Sequence, residues 1–505
     1  MSLVSKIYLG FIFSLFILWG SLFIWKSSIV GIDGKRYFVL FDDAMISMKY
    51  AKNIVDGKGP YWNRGDTVEG YTNPLWVVIM LIPNYFLPIN YSSLFIQILG
   101  LLFLILNGYL VILIVESLHQ IPKNYKLTAE VITLFLTFTY YPLLYFSLMG
   151  METSIISFLL LLGIYALLKK SFGLLLVVQI LLYLVRPDNV IFYSIFFFTS
   201  LSFLNFKQVV KMYVLVLSII MAHVALRFYF YHQLLPNTYV LKVTGWTFSE
   251  RFANGLLFLR DFFNESIYIL AALVIGIIFI KGAYKYVFAS FVIIAILYQL
   301  SVGGDAWNYW RITAPVFPEL FIIVALLITQ VAANYSKVLM RYNVLSVFLM
   351  FFVISKLLYH DARFIPEMIF AKPMYQKDVN TIDLNFALGL NEFLGQNGVV
   401  GVACAGVIPY FSNFYNVDLL GKNDAYIARL PIHNAPMWFN MKTTPGHNKY
   451  DFRWTVKKYN PDVLQYSGWY TEDLQYDQDY NYYMYVYKGV TFFLRKDSAN
   501  IKIHG

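Results

Sequence analysis

The sequence predicts a polytopic α-helical membrane protein with a C-terminal α/β domain, and three observations support this prediction. Of its 505 residues, 59% are hydrophobic and only 13% are charged, which is too little polar surface for a water-soluble protein of this length. Apolar runs recur over residues 7–358, whereas residues 360–505 have an ordinary polar composition. We therefore divide the chain into a membrane part, residues 1–359, and a tail domain, residues 360–505.

The apolar runs predict about eleven transmembrane helices, because a helix needs roughly 20 residues to cross the hydrocarbon core. The first run follows Lys6 and has no small-residue cleavage site behind it, so we expect a retained helix rather than a signal peptide. A shorter apolar piece, 75–87, contains Pro83, and we place it as a re-entrant or surface-lying segment. The predicted crossings are 7–30, 92–115, 127–147, 153–168, 171–185, 190–206, 211–230, 265–280, 286–302, 312–334 and 343–359.

Basic residues between the crossings predict the orientation of the chain. They anchor loop ends, so the net charge of +10 does not indicate a nucleic-acid partner. If the segment 75–87 does not cross the membrane, every loop that carries a basic pair is cytoplasmic, as the positive-inside rule requires. The first outer loop, residues 31–74, and the tail domain then lie on the extracytoplasmic side of the cytoplasmic (inner) membrane. The basic pairs are Lys123 and Lys126, Lys169 and Lys170, Lys207 and Lys211, Lys281 and Lys285, and Lys337 and Arg341.

The tail domain is predicted to be α/β. The single cysteine, Cys404, excludes an internal disulfide, and no Cys/His cluster indicates zinc. Short runs rich in β-branched and aromatic residues, bounded by turn residues, predict strands. The predicted strands are Val399–Ala403, Tyr415–Leu419 and Asp462–Tyr466, followed by a hairpin of Tyr482–Tyr487 and Val490–Leu494.

Two adjacent acids, Asp42 and Asp43, follow the first crossing. Asp43 can cap a helix that runs to about Val55, and the spacing of apolar residues on that helix favours a position along the membrane surface. In an alternative interpretation, one acid only caps this helix and the other is only solvated, and the pair has no chemical role. Glu69, in the string EGYTNPLW, adds a third acid to the same loop.

The first loop resembles that of the GT-C glycosyltransferases, through the string FDDAMISMKYAKNIVDGKGPYWNRGDTVEGYTNPLW. The resemblance is strongest to the cell-wall arabinofuranosyltransferase branch, and weaker to protein O-mannosyltransferases and lipid A aminoarabinose transferases. Those relatives have an Asp-Glu pair where this chain has Asp42 and Asp43, and the lipid A enzymes have a phosphate-contacting lysine where this chain has Gly70. Further similar strings are SLMGMETSI, LVRPDNV, YHQLLPNTYVLKV, VGGDAWNYWR, IPYFSNFYNVDLLGKNDAYIA and TPGHNKYD.

The resemblance implies an enzyme that moves a sugar from a polyprenyl-phosphate donor to a cell-envelope glycan, lipid or protein acceptor, with inversion. Because the leaving phosphate needs no strong general acid, one carboxylate acting as general base is sufficient. Asp42, which matches the aspartate of the relatives' pair, is the first candidate, and Asp43 is the second. Glu69 would bind the donor sugar or orient the site.

Other candidate substrate-binding residues stand at predicted outer ends of crossings. Cations there oppose the positive-inside tendency, so a lipid phosphate or an internal salt bridge, such as Arg186 with Asp188 or Arg311 with Asp305, would explain them. The acids are also open to a second interpretation, as helix-start or turn residues, and the histidine as part of a surface turn. These candidates are Glu152, Arg186, Arg227, Lys242, Asp305 and Arg311, together with His447, which would reach down from the tail domain.

Two questions stay open at this stage. Adjacent acids can recruit a divalent cation, although the resemblance implies no metal. A transporter or flippase for polyprenyl lipids or glycolipids is the alternative function, and it would place ionisable residues in the middle of crossings near inverted repeats. The sequence shows few such charges and no obvious repeat.

Overall fold

Long apolar helices dominate the computed structural model, which describes residues 3–307, 309–334, 362–436 and 441–502. Six helices in these ranges are long and apolar enough to cross a membrane, or seven if one bent pair forms a single span. They indicate a multi-pass membrane protein. The helices of the membrane part are α1 (Leu3–Ser27), α2 (Asp42–Val55), α3 (Pro74–Phe86), α4 (Ile89–Ser117), α5 (Lys126–Thr139), α6 (Tyr141–Leu148), α7 (Thr153–Leu168), α8 (Phe172–Val185), α9 (Tyr193–Ser200), α10 (Phe206–Tyr231), α11 (Asn237–Val243), α12 (Phe248–Phe279), α13 (Tyr284–Ser301) and α14 (Phe317–Asn334).

Six predicted crossings correspond to long helices, namely α1, α4, α10, α12, α13 and α14. The predicted crossing 127–147 is bent by 54° between α5 and α6, where Pro142 occupies the first turn of α6 and cannot donate a backbone hydrogen bond. The crossings 153–168 and 171–185 form shorter helices of 16 and 14 residues. The predicted crossing 190–206 is not one helix, because a 3₁₀ turn precedes the eight-residue α9. Since 343–359 lies outside the described residues, the total of eleven stays a prediction.

Helix α2 differs from the predicted membrane-surface helix. Phe41 is its N-cap, Asp42 and Asp43 lie in its first turn, and no side chain caps its free amides, so the predicted cap at Asp43 is wrong. Residues 44–51 are all buried, and α2 packs against α3 and against a helix of the tail domain. A helix enclosed by protein in this way does not present an amphipathic face to lipid.

The tail domain contains a five-stranded mixed sheet, which confirms the predicted strands. The strand order is β4-β3-β5-β9-β8, with β3 parallel to both β4 and β5 and the remaining pairs antiparallel. Two further pairs of short strands, β1–β2 in the first loop and β6–β7 in the tail, form separate hairpins. The strands are β1 (Ile29–Val30), β2 (Arg36–Tyr37), β3 (Val399–Val402), β4 (Tyr415–Asp418), β5 (Val463–Leu464), β6 (Gly468–Trp469), β7 (Glu472–Asp473), β8 (Tyr482–Tyr487) and β9 (Val490–Arg495), and the tail helices are α15 (Ile365–Met368), α16 (Lys377–Phe393), α17 (Val407–Phe411) and α18 (Phe452–Tyr459).

The tail domain docks on the first loop through buried backbone and side-chain hydrogen bonds. Trp62 Nε1 donates to the Ala405 carbonyl at 3.1 Å, and Asn63 exchanges two hydrogen bonds with the backbone of Asn416. This contact brings the tail to the end of the helix bundle where α7 begins and where α8 and α13 end. The candidate residues meet at this end.

Candidate functional site

An ionic cluster joins the start of α2 to the tail domain and to the loop before α14. Asp43 accepts from Arg311 Nη1 at 2.6 Å through one oxygen and from Lys422 Nζ at 2.9 Å through the other. These three residues are largely buried, with side-chain exposures of 18%, 7% and 8%. Three distant parts of the chain therefore converge on one carboxylate.

Asp305 orients Arg311 within this cluster. Its two oxygens accept from Arg311 Nε at 2.6 Å and Nη2 at 2.9 Å, in the bidentate geometry that suits a guanidinium. The preceding Gly303 and Gly304 both adopt positive φ, 87° and 95°, which allows the chain to turn sharply before the acid. The internal salt bridge considered from sequence thus forms, and it leaves Arg311 Nη1 free to reach Asp43.

A second ionic group lies where α7 begins and α8 ends. Arg186 donates to Glu152 at 2.7 Å and, through two nitrogens, to Asp188 at 2.9 and 2.8 Å. Asn73 of the first loop donates to the second oxygen of Glu152, and Tyr298 donates to Asp188. The salt bridge between Arg186 and Asp188, which was the predicted alternative to a lipid-phosphate contact, is therefore also observed.

Arg186 and Arg311 line the same pocket, which is partly open to solvent. The two guanidinium groups, with Glu152 and Asp188, form its polar wall. The rest of the lining is mostly apolar and comes from the bundle, including Ile156, Ile191, Phe192, Ala295 and Pro315. One pocket thus presents both fixed charges and a hydrocarbon-like surface.

Asp42 and Asp43 are adjacent but occupy different environments. One oxygen of Asp42 accepts from the backbone amides of Gly406 and Val407, at 3.0 and 2.9 Å, at the start of α17. Burial raises the pKa of Asp42 above its usual value, and nearby Lys422 and the two amides oppose this only in part. Burial also raises the pKa of Asp43, but the Lys422 ammonium and the Arg311 guanidinium together hold it well below its usual value. Of the two, Asp42 is the better proton acceptor.

Lys242, on α11, stands beside both ionic groups without joining either. Its amine forms no ion pair or hydrogen bond with any residue that the structure describes. Burial and the neighbouring Arg311 lower the pKa of Lys242 to about 8, although Asp305 and Asp43 oppose this. A Cβ on Gly446 would come within 3.2 Å of Lys242 Cε, so the tail chain passes closely over the lysine stem. The cluster therefore contains an uncommitted cation.

His447 reaches the cluster from the tail domain and does not lie in a surface turn. Its ring is buried and meets the edge of Trp307, with the ring centroids 5.6 Å apart. Burial, together with the nearby Lys422 charge, lowers the pKa of His447 to about 3, so the imidazole is neutral at physiological pH. The residue supplies hydrogen-bonding atoms without charge.

The structure does not bring Glu69 to this cluster. Arg227, on α10, binds its carboxylate with Nε–Oε2 at 2.5 Å and Nη2–Oε1 at 3.4 Å, and both side chains are almost fully buried. Arg227 was one of the candidate phosphate ligands, and it is committed to this pair instead. Glu69 and Arg227 form a separate structural contact between the first loop and the bundle.

Lys422 is the member of the cluster that the sequence did not single out. It lies in the string GKNDAYIA, but nothing in its spacing pointed to Asp43, 379 residues earlier. Asn73 and Tyr298 were missed for the same reason. Each makes its contact across elements that are distant along the chain.

The described residues contain no group of three or more histidine, cysteine, aspartate or glutamate side chains placed to hold a metal ion. Both oxygens of Asp43 are occupied by the cations of Arg311 and Lys422. The divalent cation considered for the adjacent acids would have to displace one of these partners.

The tail matches a protein family over residues 372–498, described as a domain of unknown function (DUF8728). The match covers most of the tail domain and none of the membrane part. No curated protein matches the chain.

Proposed function

We propose that this protein is a membrane glycosyltransferase that moves a sugar from a polyprenyl-phosphate donor to a cell-envelope glycan, lipid or protein acceptor. The observation that carries the proposal is the pocket between Arg186 and Arg311, which combines a guanidinium-lined wall with an apolar wall. A lipid phosphate is a ligand with both characters. The reaction class rests on the resemblance of the first loop to the GT-C enzymes.

The donor phosphate would bind at the cationic side of the pocket. Arg186 and Arg311 are held by carboxylates, which fixes their guanidinium planes in advance and lowers the entropy lost on binding. Lys242 has no acid of its own among the described residues and would neutralise the phosphate directly. The apolar wall would receive the first part of the polyprenyl chain.

The acceptor hydroxyl would attack the anomeric carbon of the donor sugar as the bond from that carbon to the phosphate oxygen breaks. The electron pair of this bond leaves with the lipid phosphate, and the hydroxyl proton passes to Asp42. The raised pKa of Asp42 favours this role over Asp43, whose proton affinity is reduced by Lys422 and Arg311. Attack from the face opposite the phosphate inverts the anomeric configuration.

The basic loops lie at the helix ends opposite the site, and their positions support chemistry outside the cytoplasm. Glu152 begins α7 at the site, whereas Lys169 follows the opposite end of the same helix. Likewise, α13 starts beside Lys285 and ends just before the Gly303–Asp305 turn. If the basic loops are cytoplasmic, the cluster and the tail domain face the extracytoplasmic side of the inner membrane.

Transfer assays with purified protein test the proposal. A panel of polyprenyl-phosphate sugars is incubated with cell-envelope acceptors, with and without a chelator, and formation of lipid phosphate and glycosylated product is measured. Arg186→Gln and Arg311→Gln should raise the donor KM about tenfold or more, without raising the acceptor KM, whereas the exposed Arg260→Gln should change neither. Absence of both donor binding and transfer across the panel would refute the proposal.

Orientation needs its own experiment. Protease added to intact spheroplasts should digest the tail domain, residues 360–505. Digestion only in inverted vesicles would place the site on the cytoplasmic side and would contradict transfer from an extracytoplasmic lipid donor.

A further inference from the structure

We infer that Trp307 and His447 bind hydroxyl groups of the donor sugar and so distinguish the glycosylated lipid from the bare lipid phosphate. The inference rests on the proposed function, because it assigns a second part of the same ligand. It concerns atoms that the ionic cluster does not use.

Both side chains bury a polar atom that lacks a partner. Trp307 Nε1 and His447 Nδ1 are shielded from solvent and make no hydrogen bond of normal geometry with the residues described in the structure, although the Pro445 backbone interacts with the imidazole. The two residues are only 8% and 6% exposed. A buried polar group left unpaired destabilises the protein, so a ligand that pairs both atoms would recover this free energy.

The two rings lie beside the reactive part of the site. They meet edge to face, with an interplanar angle of 87°. Trp307 also packs on Phe41, at 4.8 Å between ring centroids, and Phe41 directly precedes the proposed base Asp42. His447 lies within electrostatic range of Asp43, Lys422 and Lys242. A group bound here is next to both the base and the uncommitted cation.

The chemistry of these atoms suits a neutral, hydroxyl-bearing ligand. An indole N–H can only donate, whereas a neutral imidazole offers one donor and one acceptor. Burial lowers the pKa of His447 most, and the charges of Lys422 and Lys242 lower it further against the opposing effect of Asp43, so the imidazole stays neutral. Phosphate oxygens would bind the nearby cations in preference to these neutral nitrogens, and a polyprenyl tail has no hydrogen-bonding groups. The sugar ring is the part of the donor whose groups can both donate and accept.

Binding measurements with two probes test this inference. Purified protein in nanodiscs is titrated with polyprenyl phosphate and with a panel of polyprenyl-phosphate sugars, for the wild type, Trp307→Phe and His447→Phe. Each substitution keeps an aromatic ring at the contact and removes the unpaired nitrogen. The wild type should bind at least one glycosylated probe more tightly than polyprenyl phosphate, and each variant should lose about three- to tenfold in affinity for that probe only. Trp454→Phe and His433→Phe, in aromatic contacts elsewhere in the tail, should lose nothing.

The outcomes separate this inference from the proposed function. Equal weakening for both probes would assign a packing role to the two residues, and unchanged binding of the glycosylated probe would show that they do not contact the sugar. Either result overturns the inference while the phosphate site stands. A wild type that binds polyprenyl phosphate but no glycosylated probe more tightly also overturns it. A wild type that binds neither probe refutes the proposed function, and the inference with it.

Discussion

Two buried ionic assemblies in this protein use the same residue types in different ways. Glu69 and Arg227 form a closed pair, in which the guanidinium binds both carboxylate oxygens and also donates to the Leu234 carbonyl. The Asp43 cluster is open, because Arg311 also lines a pocket and Lys242 stands alongside with no partner in the described chain. A closed pair can stabilise only the fold, whereas an open cluster has the capacity to receive a ligand.

The difference teaches how to interpret cations at helix ends of a membrane protein. Arg227 and Arg311 are equally unusual in sequence, since both oppose the positive-inside tendency. Their partners distinguish them: one acid satisfies Arg227, whereas Arg311 bridges two acids at the edge of a cavity. We therefore expect substitutions in the pair to change stability alone, and substitutions in the cluster to change function as well.

Arg227→Gln should give the largest effect, and it should be a loss of stability. The substitution leaves Glu69 buried without its counter-charge, which costs about 3–5 kcal/mol. Denaturation of the purified protein should show this loss, and the double variant Glu69→Gln with Arg227→Gln should recover part of it. The surviving protein should keep its donor KM. An unchanged denaturation midpoint with a raised donor KM would place the pair in the site.

Asp42→Asn should reduce transfer about hundredfold or more, because it removes the proposed general base while keeping its shape. Initial rates at saturating donor and acceptor measure this, with the thermal midpoint as a check on folding. Asp56→Asn, at the other end of α2, is the matched control and should retain normal rates. Near-normal rates for Asp42→Asn, with loss in Asp43→Asn, would move the role to Asp43.

Lys242→Gln should raise the donor KM about tenfold, through the loss of one charge-assisted hydrogen bond to phosphate. Since Lys242 has no ion pair with the described residues, its loss should leave the thermal midpoint unchanged. Lys442→Gln removes an exposed lysine of the tail and serves as the control. A fall in stability without a change in donor KM would make Lys242 a structural residue like Arg227.

The smallest expected effect is a pH dependence of donor capture. In the proposed function the protonated amine of Lys242 would bind phosphate, and burial lowers its pKa in the free protein to about 8. The value of kcat/KM for the donor should therefore fall as pH rises through about 8. Lys242→Arg keeps its charge and should move this fall to higher pH. An identical pH profile in that variant would assign the titration to another group.

Much of the fold could be predicted because it depends on local pattern. Apolar length predicted the six long helices found among the described residues, and strand patterns predicted the tail sheet. The prediction failed where local pattern competes with packing. The spacing of apolar residues on α2 suggested a membrane-surface helix, but α3 and the tail domain together enclose that helix.

By itself, the sequence determined the membrane class, the tail strands and the short-range pairs Arg186–Asp188 and Arg311–Asp305, which were already alternatives. Residues two or six positions apart are joined by a short segment, so bringing them together costs little loop entropy. Their spacing along the chain is therefore enough to suggest each pair. Only the tertiary structure decided that Lys422 would pair with Asp43 and that Arg227 would pair with Glu69, 158 residues away. Such contacts depend on how the tail and the bundle dock, and no local pattern encodes that geometry.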